Sequence, residues 1–439
     1  MGKNAKKRHR EILASQEHGH RIGFWTVIVA AISIFVYVVT WGIDKYQEAQ
    51  KRDKVDRILA ILEPVPETID PRNPPDIPLE FDSAQTLADD ILDSGELLDA
   101  STLLKMGGLS YSRGNYERAL GRYNDALDAA RSSGDSSLIA GSLMGIGLVR
   151  HEMGETEEAL ALHRQALSLY RKTKYRSGVA RALGNMALVY ISRADSTTAF
   201  ALLDSALTID REIGDCQGEI AHGGNKAKIY HDFGFTEKAL YDFRIVLDKC
   251  IKCDLLSEEA GIRGNIGLGH YRMDDLDSSL FYHQSALAIH TELGERRGMG
   301  ADFSNIGLVY LAQDLFDTAL SYFRQGLDLA EQIGDRPGIA ACLGNIGGVW
   351  GAKGIADSAL LYCDSAVTLH DDIDDPLGEA TDMDCMAQAY LMKGENEQAL
   401  YYYRAVLEKI DQHSLPYDRR RIVSAIHRIE MSLHSGPKD

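Results

Sequence analysis

Proline and cysteine are scarce in this sequence, and their scarcity excludes several classes of protein. The 439 residues include 10 prolines and 6 cysteines, too few for a collagen-like chain, a mucin-like stalk or a scaffold held by many disulfides. Apolar residues make up 45% and charged residues 26%, the balance of an ordinary folded protein. The formal net charge of −18 disfavours nucleic acid as a partner, because the chain repels phosphate.

Motifs that carry catalysis or bind metal are also missing. The sequence contains no G-x-S-x-G, H-E-x-x-H or Walker pattern. Cys250 and Cys253 form one C-x-x-C pair, but zinc usually needs a second pair, and a local disulfide between these two cysteines is the alternative outside a reducing compartment. We therefore predict that the protein is not an enzyme and that it has no cofactor and no metal site.

Long apolar runs are limited to one, near the amino terminus. Residues 22–43 carry no charge, and Trp25 and Trp41 lie near the two ends of this run. A bilayer core needs about 20 apolar helical residues, and tryptophan favours the headgroup level. A signal peptide is the competing interpretation, but its apolar core is usually about 7–15 residues and is followed by small residues. We predict a transmembrane helix over 22–43, in contact with the lipid bilayer.

The charged residues on either side of this run bear on its orientation in the membrane. Residues 1–57 contain 11 Lys and Arg against 6 Asp and Glu, and basic residues are split almost evenly between the two sides of the run. The positive-inside rule slightly favours a cytoplasmic amino terminus. We therefore expect a single-pass membrane protein whose large carboxyl-terminal domain is extracytoplasmic, periplasmic if the source is bacterial.

A polar helix and a proline-rich segment follow the apolar run. Residues 44–62 lack glycine and proline, and Val55, Ile58, Leu59 and Leu62 form one apolar stripe at helical spacing. This stripe predicts a stalk helix that either docks on a neighbouring part of the chain or self-associates. Residues 63–80 contain six of the ten prolines, which predicts a semi-rigid linker.

The remainder of the chain repeats every forty residues. A small residue followed by a large apolar one recurs in phase eight times, and a second such pair follows seven residues after each. Twelve residues before each first pair lies glycine or alanine. This period is the strongest signal in the sequence. The first pairs are Ala119-Leu120, Ala159-Leu160, Ala199-Phe200, Ala239-Leu240, Ser279-Leu280, Ala319-Leu320, Ala359-Leu360 and Ala399-Leu400.

Each unit has the pattern of two helices joined by a turn, so we predict an all-α solenoid of eight helix-turn-helix repeats. Glycine should end several helices, as at Gly134 and Gly214, and the aspartate after it should begin the next. The predicted organisation is a basic tail over 1–21, the transmembrane helix over 22–43, the stalk over 44–62, the linker over 63–80, a capping half-repeat over 81–99, the repeats over 100–419, and a capping helix with a tail over 420–439.

The repeat pattern resembles that of tetratricopeptide repeats. Gly307, Tyr310, Ala319, Phe323 and Leu327 carry the resemblance best, and it extends over 100–419. The usual unit has 34 residues, and the forty-residue unit is similar to the repeats of Leu-Gly-Asn scaffold proteins and of bacterial peptide-sensing regulators. The resemblance implies a right-handed solenoid in which the first helix of each unit lines a concave groove.

Asparagine occupies one position of the first helix in five successive units. A carboxamide can both donate to and accept from an extended peptide backbone, and a neighbouring glycine would let that backbone approach closely. The alternative is that each asparagine bonds the next helix and holds the repeats together. We expect these residues and nearby polar side chains to line the groove: Asn185, Asn225, Asn265, Asn305, Asn345, Arg181, Lys228, His231, Tyr271 and Arg272.

These observations predict a membrane-anchored scaffold whose groove binds a partner protein or an extended peptide. The alternative is a peptide-sensing regulatory module that signals through a separate partner. Self-association would run through the stalk, and no nucleic-acid partner is expected.

Overall fold

The computed structural model describes residues 45–62, 84, 86–89, 92, 98–413, 415 and 417–434. Every regular element in this part of the chain is a helix. The helices are α1 (Lys45–Leu62), α2 (Ala100–Ser112), α3 (Tyr116–Ser133), α4 (Ser136–Glu152), α5 (Thr156–Lys172), α6 (Arg176–Ser192), α7 (Ser196–Ile213), α8 (Cys216–Asp232), α9 (Thr236–Cys253), α10 (Leu256–Arg272), α11 (Leu276–Leu293), α12 (Arg296–Ala312), α13 (Phe316–Ile333), α14 (Arg336–Ala352), α15 (Ala356–Asp372), α16 (Pro376–Lys393), α17 (Asn396–His413) and α18 (Arg419–His434).

Helices α2 to α17 form eight antiparallel pairs, which we number as units 1 to 8. Local sequence explains where the helices begin and end. Gly134 and Gly214 take the left-handed conformation after α3 and α7, and the Asp135 and Asp215 side chains accept hydrogen bonds from the first turns of α4 and α8. Aspartate at these positions satisfies amide groups that have no partner within the helix.

The small residue of each first helix makes room for a side chain of the second helix. Ala319 is fully buried where α12 and α13 pack. A β-carbon built at Gly307 would lie 2.6 Å from the ring of Phe323, closer than any side chain can approach. The forty-residue spacing of small and large residues therefore encodes direct packing within each pair.

The stack has an inner and an outer layer. Each first helix from α2 to α14 contacts the first helix of the next unit, whereas extensive contact between successive second helices does not occur in the described chain. In a curved stack, the helices that lie closer together form the inner side. The first helices therefore form the inner layer and the second helices the outer layer.

The two ends of the stack are covered. Ile58 and Leu62 of α1 are buried with Ala84 and Ala88 against Leu103 of unit 1. At the other end, Ile422 and Ile429 of α18 pack on unit 8. The apolar stripe of the predicted stalk therefore docks on the first unit, because that unit would otherwise expose its apolar face.

The stack curls back on itself. The guanidinium of Arg297, at the start of α12 in unit 6, donates a hydrogen bond of 3.0 Å to the carbonyl oxygen of Ser112, at the end of α2 in unit 1. The carboxylates of Asp374 and Asp375 contribute to raising the pKa of Tyr116, which burial raises most. Units 6 to 8 therefore lie beside unit 1 after one turn of the solenoid.

The cysteine pairing differs from the sequence-based alternative. Cys253 forms a disulfide with Cys216, and Cys250 is a free, buried thiol. Cys250 lies about one helical turn before Cys253 on α9. Its side chain packs in the core of unit 4. Cys216 begins α8 and Cys253 ends α9, so the bond joins the open ends of the hairpin.

The predicted single-pass membrane localisation is corrected. Among the residues that the structure describes, no helix combines the length and the apolar character that a membrane span requires. Second helices such as α5 and α13 have an apolar face and a polar face, because they pack sideways on their neighbours. Residues 22–43, for which we predicted the span, lie outside the described residues, as does most of the predicted linker.

Candidate binding surface on the inner wall

One stripe of each first helix is left free by the packing. The helix contacts its own second helix, the preceding second helix and the neighbouring first helices. The remaining stripe has spacings of four, three and four residues, and its side chains are mostly half-buried or exposed. We call the five stripes of units 3 to 7 the inner wall; its residues are 181, 185, 188, 192, 221, 225, 228, 232, 261, 265, 268, 272, 301, 305, 308, 312, 341, 345, 348 and 352.

The five predicted asparagines occupy the same place on the inner wall in successive units. Asn225 is only 8% exposed, and its Nδ2 is buried without a hydrogen-bond partner. The other four are half-buried: Asn185, Asn265, Asn305 and Asn345. None of the five carboxamides bonds another side chain or the backbone within the described residues. The structure therefore lacks, within the described residues, the hydrogen bonds that these asparagines would form if they linked one helix to the next.

Two of the glycines beside these asparagines leave no space for a ligand backbone. A β-carbon at Gly184 would collide with the His222 ring, and one at Gly344 would collide with the Asp382 carboxylate. A β-carbon at Gly264, by contrast, would meet only Asp302 Oδ1, at 3.9 Å. The sequence-based argument is therefore wrong for Gly184 and Gly344, because these two glycines accommodate packing between repeats.

Arg181 and Lys228 are two of the three predicted basic residues on the inner wall. Arg181 is half-buried, its Nε is buried without a partner, and its Nη2 lies 3.5 Å from the Tyr175 hydroxyl. Lys228 is exposed, one turn after Asn225. Neither side chain pairs with a carboxylate in the described part of the chain, so both charges are available to a ligand.

The remaining predicted residues lie at the carboxyl ends of the first helices. Arg272 donates a hydrogen bond to the carbonyl oxygen of His231, which joins the ends of α10 and α8. His231 Nδ1 is 3.5 Å from Asp232, and its Nε2 is buried without a partner. Tyr271 is half-buried, and burial raises the pKa of its hydroxyl. These residues form the edge of the inner wall in units 4 and 5.

Buried histidine–aspartate pairs behind the wall were missed by the sequence analysis. His222 Nδ1 is 2.6 Å from Asp210 Oδ2, and His290 Nδ1 is 2.6 Å from Asp302 Oδ2. Each pair joins a second helix to the next first helix, twelve residues later. The signal was present in the repeat alignment, since histidine and aspartate replace small or apolar residues there.

The comparisons with known proteins agree with this architecture. Residues 98–172, 137–212 and 258–332 match the family model described as tetratricopeptide repeat. No curated protein sequence matches the chain.

Solved structures with a similar fold cover most of the chain at low identity. A Rap protein complexed with Competence and Sporulation Factor has a TM-score of 0.54 and 15% identity, covering 83% of this chain and 99% of that one. The apo form of the quorum sensor NprR from B. thuringiensis has a TM-score of 0.52 and 17% identity, with 83% and 99% covered. Yeast Tom70 has a TM-score of 0.51 and 14% identity, with 78% and 66% covered.

At these identities the solved structures show the fold alone. The family model identifies the repeat, and the structure extends the same helix pairs over units that the model does not match. The units within the matched residues, 98–212 and 258–332, are therefore tetratricopeptide repeats, and the other forty-residue units share their fold.

Proposed function

We propose that the inner wall binds an extended peptide or an extended segment of a partner protein, without catalysis. One observation carries the proposal: five asparagines in successive units present carboxamides with no partner in the described chain, and Asn225 is nine-tenths buried. A buried polar group without a hydrogen bond costs about 1–3 kcal/mol. A peptide backbone would satisfy these groups, because it offers one donor and one acceptor per residue.

The dimensions of the wall fit a short peptide. Packed helices are about 8–10 Å apart, so five successive first helices span roughly 32–40 Å. An extended chain rises about 3.3 Å per residue, so about 10 to 12 residues would cross the five units. A Rap protein, which has a similar fold, was solved with Competence and Sporulation Factor bound, and this supports the proposal by analogy.

A regulatory role is the second candidate, and the contact between Arg297 and Ser112 favours it. This hydrogen bond joins unit 6 to unit 1, so a ligand that changes the curvature of the units between them would also change this contact. Such a ligand would alter the shape presented to a separate partner.

The test is selection of 12-residue peptides on the wild-type protein, followed by affinity measurement on Asn225→Ala/Asn265→Ala/Asn305→Ala. Three lost hydrogen bonds of about 1 kcal/mol each predict roughly 100-fold weaker binding. Asn124→Ala is the matched control, because Asn124 is exposed on α3 and bonds Leu120. The proposal is wrong if every selected peptide binds the folded triple variant and wild type equally.

The triple variant must stay folded for this comparison, which circular dichroism and thermal unfolding report. If it does not fold, Asn265→Asp alone keeps the size of the side chain and removes its donor. This variant should weaken binding about tenfold, and unchanged affinity for it would also contradict the proposal.

A further inference from the structure

We infer that the peptide carries carboxylates where it crosses units 3 to 5 and is uncharged where it crosses units 6 and 7. This inference rests on the proposed function and adds the chemistry and direction of the ligand. It follows from how charge is distributed along the inner wall and from which buried nitrogen atoms lack partners.

Cations are confined to one half of the inner wall. Arg181, Lys228 and Arg272 belong to units 3, 4 and 5, and Asp232 is the one acidic residue among the stripes of these units. The stripes of units 6 and 7 contain no charged residue. Besides asparagine they consist of Ala301, Leu308, Ala312, Ala341, Gly348 and Ala352.

The three wall cations lack carboxylate partners, unlike cations close to them in the chain. Lys226 lies 2.6 Å from Asp204 and Lys249 lies 2.6 Å from Glu219. None of Arg181, Lys228 and Arg272 has an acidic group within ion-pair distance in the described chain. In a protein with a net charge of −18, unpaired cations grouped on one inner surface indicate that an anion binds there.

The buried nitrogen atoms without partners on the inner wall and its edge lie in the same half. Arg181 Nε, Asn225 Nδ2 and His231 Nε2 are all buried without a hydrogen bond. The arginine and asparagine atoms can only donate, so they require acceptors. Carboxylate oxygens accept several hydrogen bonds and favour cationic donors. Units 3 to 5 therefore fit aspartate, glutamate or a terminal carboxylate.

The experiment uses synthetic 12-residue peptides in which acidic, basic and amide residues are equally frequent. Peptides bound by the full chain should be enriched in Asp and Glu in one half only. Replacing those residues by Asn and Gln should weaken binding at least tenfold. The same loss should follow from Arg181→Gln/Lys228→Gln, and added salt should weaken the wild-type complex more than the variant complex.

The control is Arg324→Gln/Lys252→Gln, which removes the same charge from the outer layer, where both residues are exposed. It should leave binding unchanged. The selected peptides could bind the asparagine triple variant more weakly, yet show no enrichment in Asp or Glu and bind Arg181→Gln/Lys228→Gln as tightly as wild type. That result would overturn this inference and leave the proposed function standing. Peptides indifferent to the triple variant overturn the proposed function itself.

Discussion

His222 Nδ1 lies 2.6 Å from Asp210 Oδ2 across the interface between units 3 and 4, and both side chains are almost fully buried. A second such pair joins units 5 and 6 through His290 and Asp302. Between units 7 and 8, His370 Nε2 and Asp382 Oδ2 lie 3.4 Å apart without a hydrogen bond. The intervening interfaces carry Cys250 with Ile262, and Ala330 with Cys342. Polar and apolar interfaces therefore alternate from unit 3 onward.

Breaking one buried pair should destabilise the solenoid more than replacing both members. Asp210→Cys leaves His222 without its partner, and we expect a loss of about 3–5 kcal/mol in the free energy of unfolding. Asp210→Cys/His222→Ile copies the interface between units 4 and 5 and should recover most of that loss. Urea unfolding of the two variants measures it, and a double variant as unstable as the single one would contradict the prediction.

Acid should destabilise the protein through His163 and His283. Both are buried in place of the aromatic rings found at Tyr123 and Phe243, and burial lowers the pKa of each to about 4. Because the pKa is near 6.5 in the unfolded chain, the neutral form is favoured on folding. The stability that these two neutral histidines contribute is fully present above about pH 6.5 and is lost as the pH falls towards 4.

His163→Phe/His283→Phe should reduce this acid sensitivity. From these pKa values, each histidine removes about 2 kcal/mol between pH 7 and pH 5, and phenylalanine removes none. Urea unfolding at both pH values measures the difference. His413→Phe, at an exposed position, should behave like wild type; equal acid sensitivity of the double variant and wild type would refute the assignment.

The turn after α6 carries avoidable strain. Ala194 has a φ of 60°, whereas the same turn in other units uses Gly154 and Gly234. Ala194→Gly removes a left-handed penalty of about 1–2 kcal/mol and adds unfolded-state entropy worth about 0.5–1 kcal/mol. We expect the free energy of unfolding to rise by up to about 1 kcal/mol, as measured by thermal unfolding. Ala201→Gly, on the exposed face of α7, should instead lose about 1 kcal/mol.

Removing the contact between unit 6 and unit 1 should open the turn of the solenoid. Arg297 bonds the Ser112 carbonyl and lies 2.9 Å from Asp335, and a hydrogen bond to a charged group contributes about 1.5–3 kcal/mol. Arg297→Gln should therefore increase the radius of gyration in small-angle X-ray scattering. Arg324→Gln should not, and identical scattering from both variants would show that other contacts hold the turn.

The periodicity allowed most of the fold to be predicted. Residues similar to Ala319 and Phe323 recur at the equivalent positions of other units, because the two helices of each unit pack in the same way. The spacing in the sequence therefore indicates the structure directly. The cysteine pairing was not predictable in this way, because Cys216 and Cys253 meet only when the open ends of a hairpin come together. The membrane prediction rested on local hydropathy alone, and the described helices do not bear it out.

The candidate site was predictable in part. Asn225 and its equivalents were identified because they repeat in phase, but the sequence did not show what faced the adjacent glycines. Gly184 meets His222, which belongs to the next unit, and nothing in one unit's own sequence specifies that neighbour.

The sequence by itself determined the helices, their pairing and the position of each small residue, because these depend on contacts within forty residues. Only the tertiary structure decided how far the stack curls, which side chains meet across its turns, and which nitrogen atoms remain without partners. Arg297 and Ser112 are 185 positions apart. Small rotations between successive units add up over that distance, and no local pattern encodes their sum.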